Sequence, residues 1–167
     1  MVLHLPAMPI GVLVVMASLL TITHATASTP PKPIPDVAYQ QLNGSSVTVS
    51  DLRGTVVLLN FWGTWCGPCL QEIPHLVRLS HKLKTKGLEV VGIALDSGHP
   101  DDIRAFMAEL GMNYTVWQGD LALVKQRFQV MGFPTSLLID RMGLVHKRYF
   151  GPQTEEVFTR DAEPLLQ

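Results

Sequence analysis

The chain has 167 residues, enough for one domain. Thirteen Lys and Arg stand against 14 Asp and Glu, a formal charge of −1, and 47% of the residues are hydrophobic. The balance excludes the basic face of a nucleic-acid binder, and the apolar content excludes a disordered chain.

Residues 1–27 hold no Lys, Arg, Asp or Glu. Ile10–Ile22 is an apolar run of 13 residues, short of the roughly 20 that a membrane span needs. Ala25-Thr26-Ala27 follows, the small-x-small pattern of a signal-peptidase site. The stretch before the run lacks the Lys or Arg that such signals carry. The expectation is an exported chain, with residues 1–27 either cleaved before Ser28 or kept as an anchor through residues 10–22. Residues 28–35 include four prolines and read as a stiff, extended linker. Residues 36–167 remain for the domain.

Within it, Val37–Leu42 and Ser46–Val49 alternate around Asn43-Gly44, a hairpin signal. Ser50 or Asp51 is expected to cap a short turn ending at Gly54. Thr55–Trp62 is nearly continuous apolar, which predicts a strand buried on both faces. A loop over Gly63–Pro68 leads to a helix from Cys69 to about Lys86, with Pro74 expected to kink it and Gly87 to stop it. Leu88–Leu95 reads as a second buried strand and Asp101–Leu110 as a helix closed by Gly111. Asn113–Trp117 is expected to be extended and Leu121–Gln129 helical. Ser136–Asp140 and Leu144–Phe150 form a hairpin through Arg141-Met142-Gly143, and Thr154–Leu166 is a closing helix. This order predicts an α/β fold with helices on both faces of a sheet. The two central strands should run parallel.

The only two cysteines are Cys66 and Cys69. A zinc site needs four ligands, and His75, His81, His99 and His146 show no partner spacing. A structural disulfide here would close a loop too short to constrain much of the unfolded chain. The remaining reading is a redox dithiol where a strand turns into a helix. The helix N-terminus supplies N–H groups and positive partial charge that favour a thiolate at Cys66. Cys66 is expected to be exposed and to attack. Cys69, one turn further in, is expected to resolve the mixed disulfide.

Phe61-Trp62-Gly63-Thr64-Trp65-Cys66-Gly67-Pro68-Cys69 resembles the active-site segment of thioredoxin-fold proteins. Cys69-Leu70-Gln71-Glu72-Ile73-Pro74 and Gly132-Phe133-Pro134-Thr135 narrow the resemblance to the TlpA/ResA-like thiol–disulfide oxidoreductases of the AhpC/TSA-redoxin superfamily. It covers about residues 35–166. It implies a thioredoxin fold: a central mixed sheet with helices on both faces, an N-terminal β-hairpin and an α/β insertion near 101–117. It also implies a cis-proline at Pro134, and substrate contacts for Phe133 and Trp65. Phe133 alone would read equally as a core aromatic. Trp62 reads as core or site, and Trp117 as core.

Thioredoxins carry a buried Asp six residues before the first cysteine. Asn60 stands there and cannot titrate. Glu72 lies three residues after Cys69, on one helix face with it. Spacing leaves two readings open: a partly buried acceptor for the Cys69 proton, or a solvated carboxylate favoured by the helix dipole. The resemblance favours the first.

The implied activity is reduction of disulfides in exported proteins, such as apocytochrome c. Gly67-Pro68 matches thioredoxin, with a potential of about −270 mV against about −120 mV for the oxidant DsbA. The expected partners are a disulfide-bearing protein and a membrane electron donor. Neither nucleic acid, cofactor nor metal is expected, and the chain is expected to be a monomer. A thiol peroxidase is the alternative, but its Pro-x-x-x-(Thr/Ser)-x-x-Cys pattern has Gly63 at the hydroxyl position. A copper-handling module is a third reading, but no Met lies beside the cysteines.

Overall fold

The computed structural model describes residue 2 and residues 30–167. Residues 3–29, with the apolar run and the expected cleavage site, lie outside the described residues. Among the described residues no helix is long and apolar enough to cross a membrane.

The strand β4 (Val56–Trp62) organises the domain, and all seven of its residues are buried. Such a strand needs a cover on each face, and it has one. Val56, Leu58 and Trp62 face a core that includes Ile73, Leu76, Leu79 and Leu83 of helix α1 (Gly67–Leu83) and Phe158 of helix α4 (Glu155–Ala162). Val57, Leu59 and Phe61 face a second core with Val124 and Phe128 of helix α3 (Leu121–Phe128). β5 (Leu88–Leu95) runs parallel to β4 from Val56↔Leu88 to Trp62↔Ala94. β6 (Thr115–Gly119) continues the parallel set, after helix α2 (Pro100–Glu109). On the other side of β4, β7 (Thr135–Ile139) is antiparallel and is followed by β8 (Leu144–Phe150). The hairpin β2 (Ala38–Gln41) and β3 (Ser46–Thr48), which the Asn43-Gly44 turn predicts, joins the sheet at β6. With β1 (Lys32–Pro33) the eight-stranded order is β1-β8-β7-β4-β5-β6-β2-β3. The expected mixed sheet, hairpin and insertion are therefore present.

Several boundaries depart from the sequence reading, each for a local reason. α1 begins at Gly67 rather than Cys69, because Pro68 fits the first helical turn, where no N–H is needed. α1 also runs through Pro74 to Leu83. It ends in a 3₁₀ turn, Lys84–Lys86, before Gly87 at φ 97°. The early turn is capped from Thr48, whose N–H donates to Asp51 Oδ2 at 2.7 Å. β6 lies two residues later than expected. Gly119 extends it, since a side chain there would strike Ile93 and Leu95. The proline-rich linker is partly a strand. Lys32–Pro33 pairs with Leu144–Val145, at the sheet edge where a proline costs no ladder bond.

Candidate active site

β4 ends at Trp62 and the chain turns through Gly63. A side chain at Gly63 would lie 2.6 Å from the Trp65 indole, so glycine lets that ring fold back over the turn. Cys66 donates its N–H to the Gly63 carbonyl at 3.0 Å and becomes the N-cap of α1. Its Sγ accepts the Cys69 N–H at 3.3 Å. This is the interaction expected to favour a thiolate at Cys66 once the pair is reduced.

Cys66 and Cys69 form a disulfide, with Cα atoms 5.3 Å apart. Cys69 is 1% exposed and Cys66 5%. The expectation of an exposed Cys66 is therefore corrected for the oxidised state. The bond to Cys69 holds its sulfur at the surface of the core, where Phe133 packs against the same cluster. Cys66 caps the helix and is the slightly more exposed residue of the pair.

Trp65 is 52% exposed. Its Nε1–H donates to the Leu95 carbonyl at 3.0 Å, and its ring meets Phe133 edge-on at 5.6 Å. Ser97 braces the same loop. Its hydroxyl accepts the Thr64 N–H at 3.1 Å and donates to the Leu95 carbonyl at 2.9 Å. The Phe133–Pro134 peptide is cis. Pro134 is buried, and its carbonyl accepts the Gly151 N–H at 2.9 Å. Trp62 is wholly buried and stacked on Phe106, and Trp117 is buried against Tyr39. Both are core.

Glu72 is 1% exposed, so the solvated reading is excluded. Its Oε2 accepts from Asn60 Nδ2 at 2.7 Å, and its Oε1 from the Gln153 backbone N–H at 2.9 Å. Burial pushes its carboxyl up to about 7, and the two hydrogen bonds pull against that rise. Asn60 Nδ2 also donates to Ser136 Oγ at 2.8 Å. Sequence reasoning noticed Asn60 only as a residue that cannot titrate, and it missed Ser136, Gln153 and Ser97. A signal for the pairing of Asn60 with Ser136 was present. Asn60 is the one polar residue of the buried strand β4, and Ser136 is one of two, with Thr135, in the buried strand β7. Asn60 and Ser136 face each other across β4 and β7. Among the described residues no three His, Cys, Asp or Glu side chains converge as a metal site requires.

The AhpC/TSA family model matches residues 30–148, most of the chain. The chain belongs to the AhpC/TSA family. Within that family it is similar to the thiol–disulfide oxidoreductase ResA of Bacillus anthracis. The two are 37% identical over 126 residues, which is 75% of this chain and 72% of that protein. It is 36% identical over 138 residues to the thiol:disulfide interchange protein HelX of Rhodobacter capsulatus, covering 81% and 76% of the two chains. The crystal structure of a thiol:disulfide interchange protein DsbE from Chlorobium tepidum superposes with a TM-score of 0.74 at 34% identity. It covers 82% of this chain and 97% of its own. This AhpC/TSA member is accordingly a thiol–disulfide oxidoreductase of thioredoxin fold, with Cys66–Cys69 as its redox-active pair.

Proposed function

We propose that the chain is exported and reduces disulfides of periplasmic proteins, apocytochrome c among them. Glu72 then serves as the proton acceptor for Cys69. The observation that carries this reading is Glu72. It is a carboxyl 1% exposed, three residues beyond Cys69 on the same helix, and burial pushes it up to about 7. A thiol that must become a nucleophile inside a core needs such a base.

In the proposed cycle the Cys66 thiolate attacks one sulfur of the substrate disulfide. The other substrate sulfur leaves as a thiolate and takes a proton from water. Cys69 passes its proton to Glu72, and its thiolate attacks Cys66 Sγ. The second substrate sulfur leaves with the proton that Glu72 holds, so both substrate sulfurs are reduced and Cys66–Cys69 is oxidised. A membrane electron donor returns two electrons and one proton, which restores the Cys66 thiolate and the Cys69 thiol. Trp65 and Phe133 provide the apolar surface for the substrate chain, and Pro134 the backbone edge beside it. Export is supported by the uncharged residues 1–27 and the Ala25-Thr26-Ala27 pattern. Residues 10–22 serve as a tether if that segment is retained.

A glutathione redox titration of the chain, paired with reduction of insulin or apocytochrome c, tests the direction of flow. The expected potential lies near that of thioredoxin, about −270 mV; a value near −120 mV overturns the reductase reading. Cys66→Ser should abolish turnover. Cys69→Ser should accumulate a mixed disulfide through Cys66, and trapping through Cys69 instead would reverse the assigned order.

A further inference from the structure

Each oxygen of the Glu72 carboxyl has one donor, and the two donors come from different elements. Asn60 on β4 serves Oε2, and the Gln153 N–H, in the turn between β8 and α4, serves Oε1. The side-chain amide of Asn60 has two N–H bonds and nothing else to donate. One goes to Glu72 and the other to Ser136 Oγ. Asn60 and Ser136 are direct partners in the β4–β7 ladder, so the backbone fixes their separation. Asn60 is 1% exposed and Ser136 1%, so water does not compete for these bonds. If the amide turned over, its carbonyl would face the acceptor-only carboxylate, so Glu72 sets the orientation, and the Ser136 hydroxyl then accepts the second N–H.

We infer that Asn60 and Ser136 form a clamp that positions the Glu72 carboxyl and biases it toward the charged form, which makes both of them positioning residues for the proton step. The inference rests on the reading of Glu72 as the acceptor for Cys69. The clamp explains why a neutral residue suits position 60. An amide offers the carboxylate a donor, whereas an aspartate would set a second negative charge at the same contact.

The surroundings leave few other groups to set this titration. Tyr114, at the entry to β6, feels the charge of Glu72, but burial first and that charge second raise its hydroxyl, so it stays neutral. Ser136 on β7 and the Gln153 amide are neutral. Glu155, at the start of α4, is engaged by Lys82 and Arg78. On α1 itself the titratable neighbours are Cys69, which is held in the disulfide in the oxidised protein, and His75, whose Nδ1 accepts the Glu155 N–H.

The test is a carboxyl titration of Glu72 by ¹³C NMR on the full oxidised chain, with Glu72→Gln to assign the resonance. It is run beside the pH profile of mixed-disulfide resolution in the reduced protein. Asn60→Asp keeps the volume and should raise the Glu72 midpoint by more than about one pH unit. Ser136→Ala should raise it by about half a unit, and Ser136→Thr, which restores a hydroxyl, should return it. The resolution profile should move by the same amounts. Midpoints unchanged in both Asn60→Asp and Ser136→Ala overturn the clamp. A midpoint that moves while the resolution profile stays fixed retains the clamp and rejects Glu72 as the acceptor.

Discussion

The two faces of β4 are equally buried and differently composed. Toward α3, Val57, Leu59 and Phe61 meet Leu137, Ile139, Val124 and Phe128; no polar side chain of β4 interrupts them, and the buried Thr135 opposite Phe61 is satisfied by the Gly132 carbonyl. Toward α1, the row Val56, Leu58, Trp62 is broken by Asn60, which binds Glu72 and Ser136. One strand thus carries a face that only packs and a face that packs and titrates. Burial does not separate the two. What separates them is one amide placed where a carboxyl must be both hidden and held.

The largest effect should come from the face that only packs. Phe61→Ala removes a ring that is wholly buried and lies 5.0 Å from the Phe128 ring, and should cost about 3–5 kcal/mol in urea unfolding. The Glu72 midpoint should not move. A shift would mean that the two faces are not independent.

On the other face, Glu72→Gln should change how stability varies with pH. The folded carboxyl titrates at about 7 against an ordinary 4.5, so the folded state binds more protons between these values. Its contribution is present below pH 4.5 and lost as pH rises through 7. The oxidised wild type should lose on the order of 3 kcal/mol over this window, and Glu72→Gln should show a flatter curve. Equal slopes would refute the buried titration. The smallest effect is expected at the loop end shared by both faces. Ser97→Ala removes the acceptor of the Thr64 N–H and should cost about 1 kcal/mol, with the redox potential unchanged. A shifted potential would show that this brace reaches the sulfurs.

Most of the fold was legible because its elements rest on local patterns. The run over 55–62, the apolar block Leu88–Leu95 and the Asn43-Gly44 turn each read correctly in isolation. The helix start at Gly67 and the strand at Lys32–Pro33 did not. In one case Pro68 was taken for a loop residue. In the other the pairing partner lies more than a hundred residues away on β8. The cysteines were legible from spacing. The burial of Glu72 was not, since it depends on β4, β7 and the turn before α4 closing around one helix face. Ser136 escaped notice because its meaning comes from its register opposite Asn60.

β1 has a mechanical consequence. It is two residues long, and Pro33 has no N–H to give to β8. A pull on the chain at Pro30 would meet this weak edge before it met the core, whose first buried residue is Val37. Peeling β1, together with the Ile34 N–H bond to the Gly143 carbonyl and the Ser50 hydroxyl bond to Asp36, would free residues 30–36, which span about 25 Å when extended. The domain would gain that reach with β4, β5 and β7 still paired, so the strap acts as a fuse that yields before the fold does.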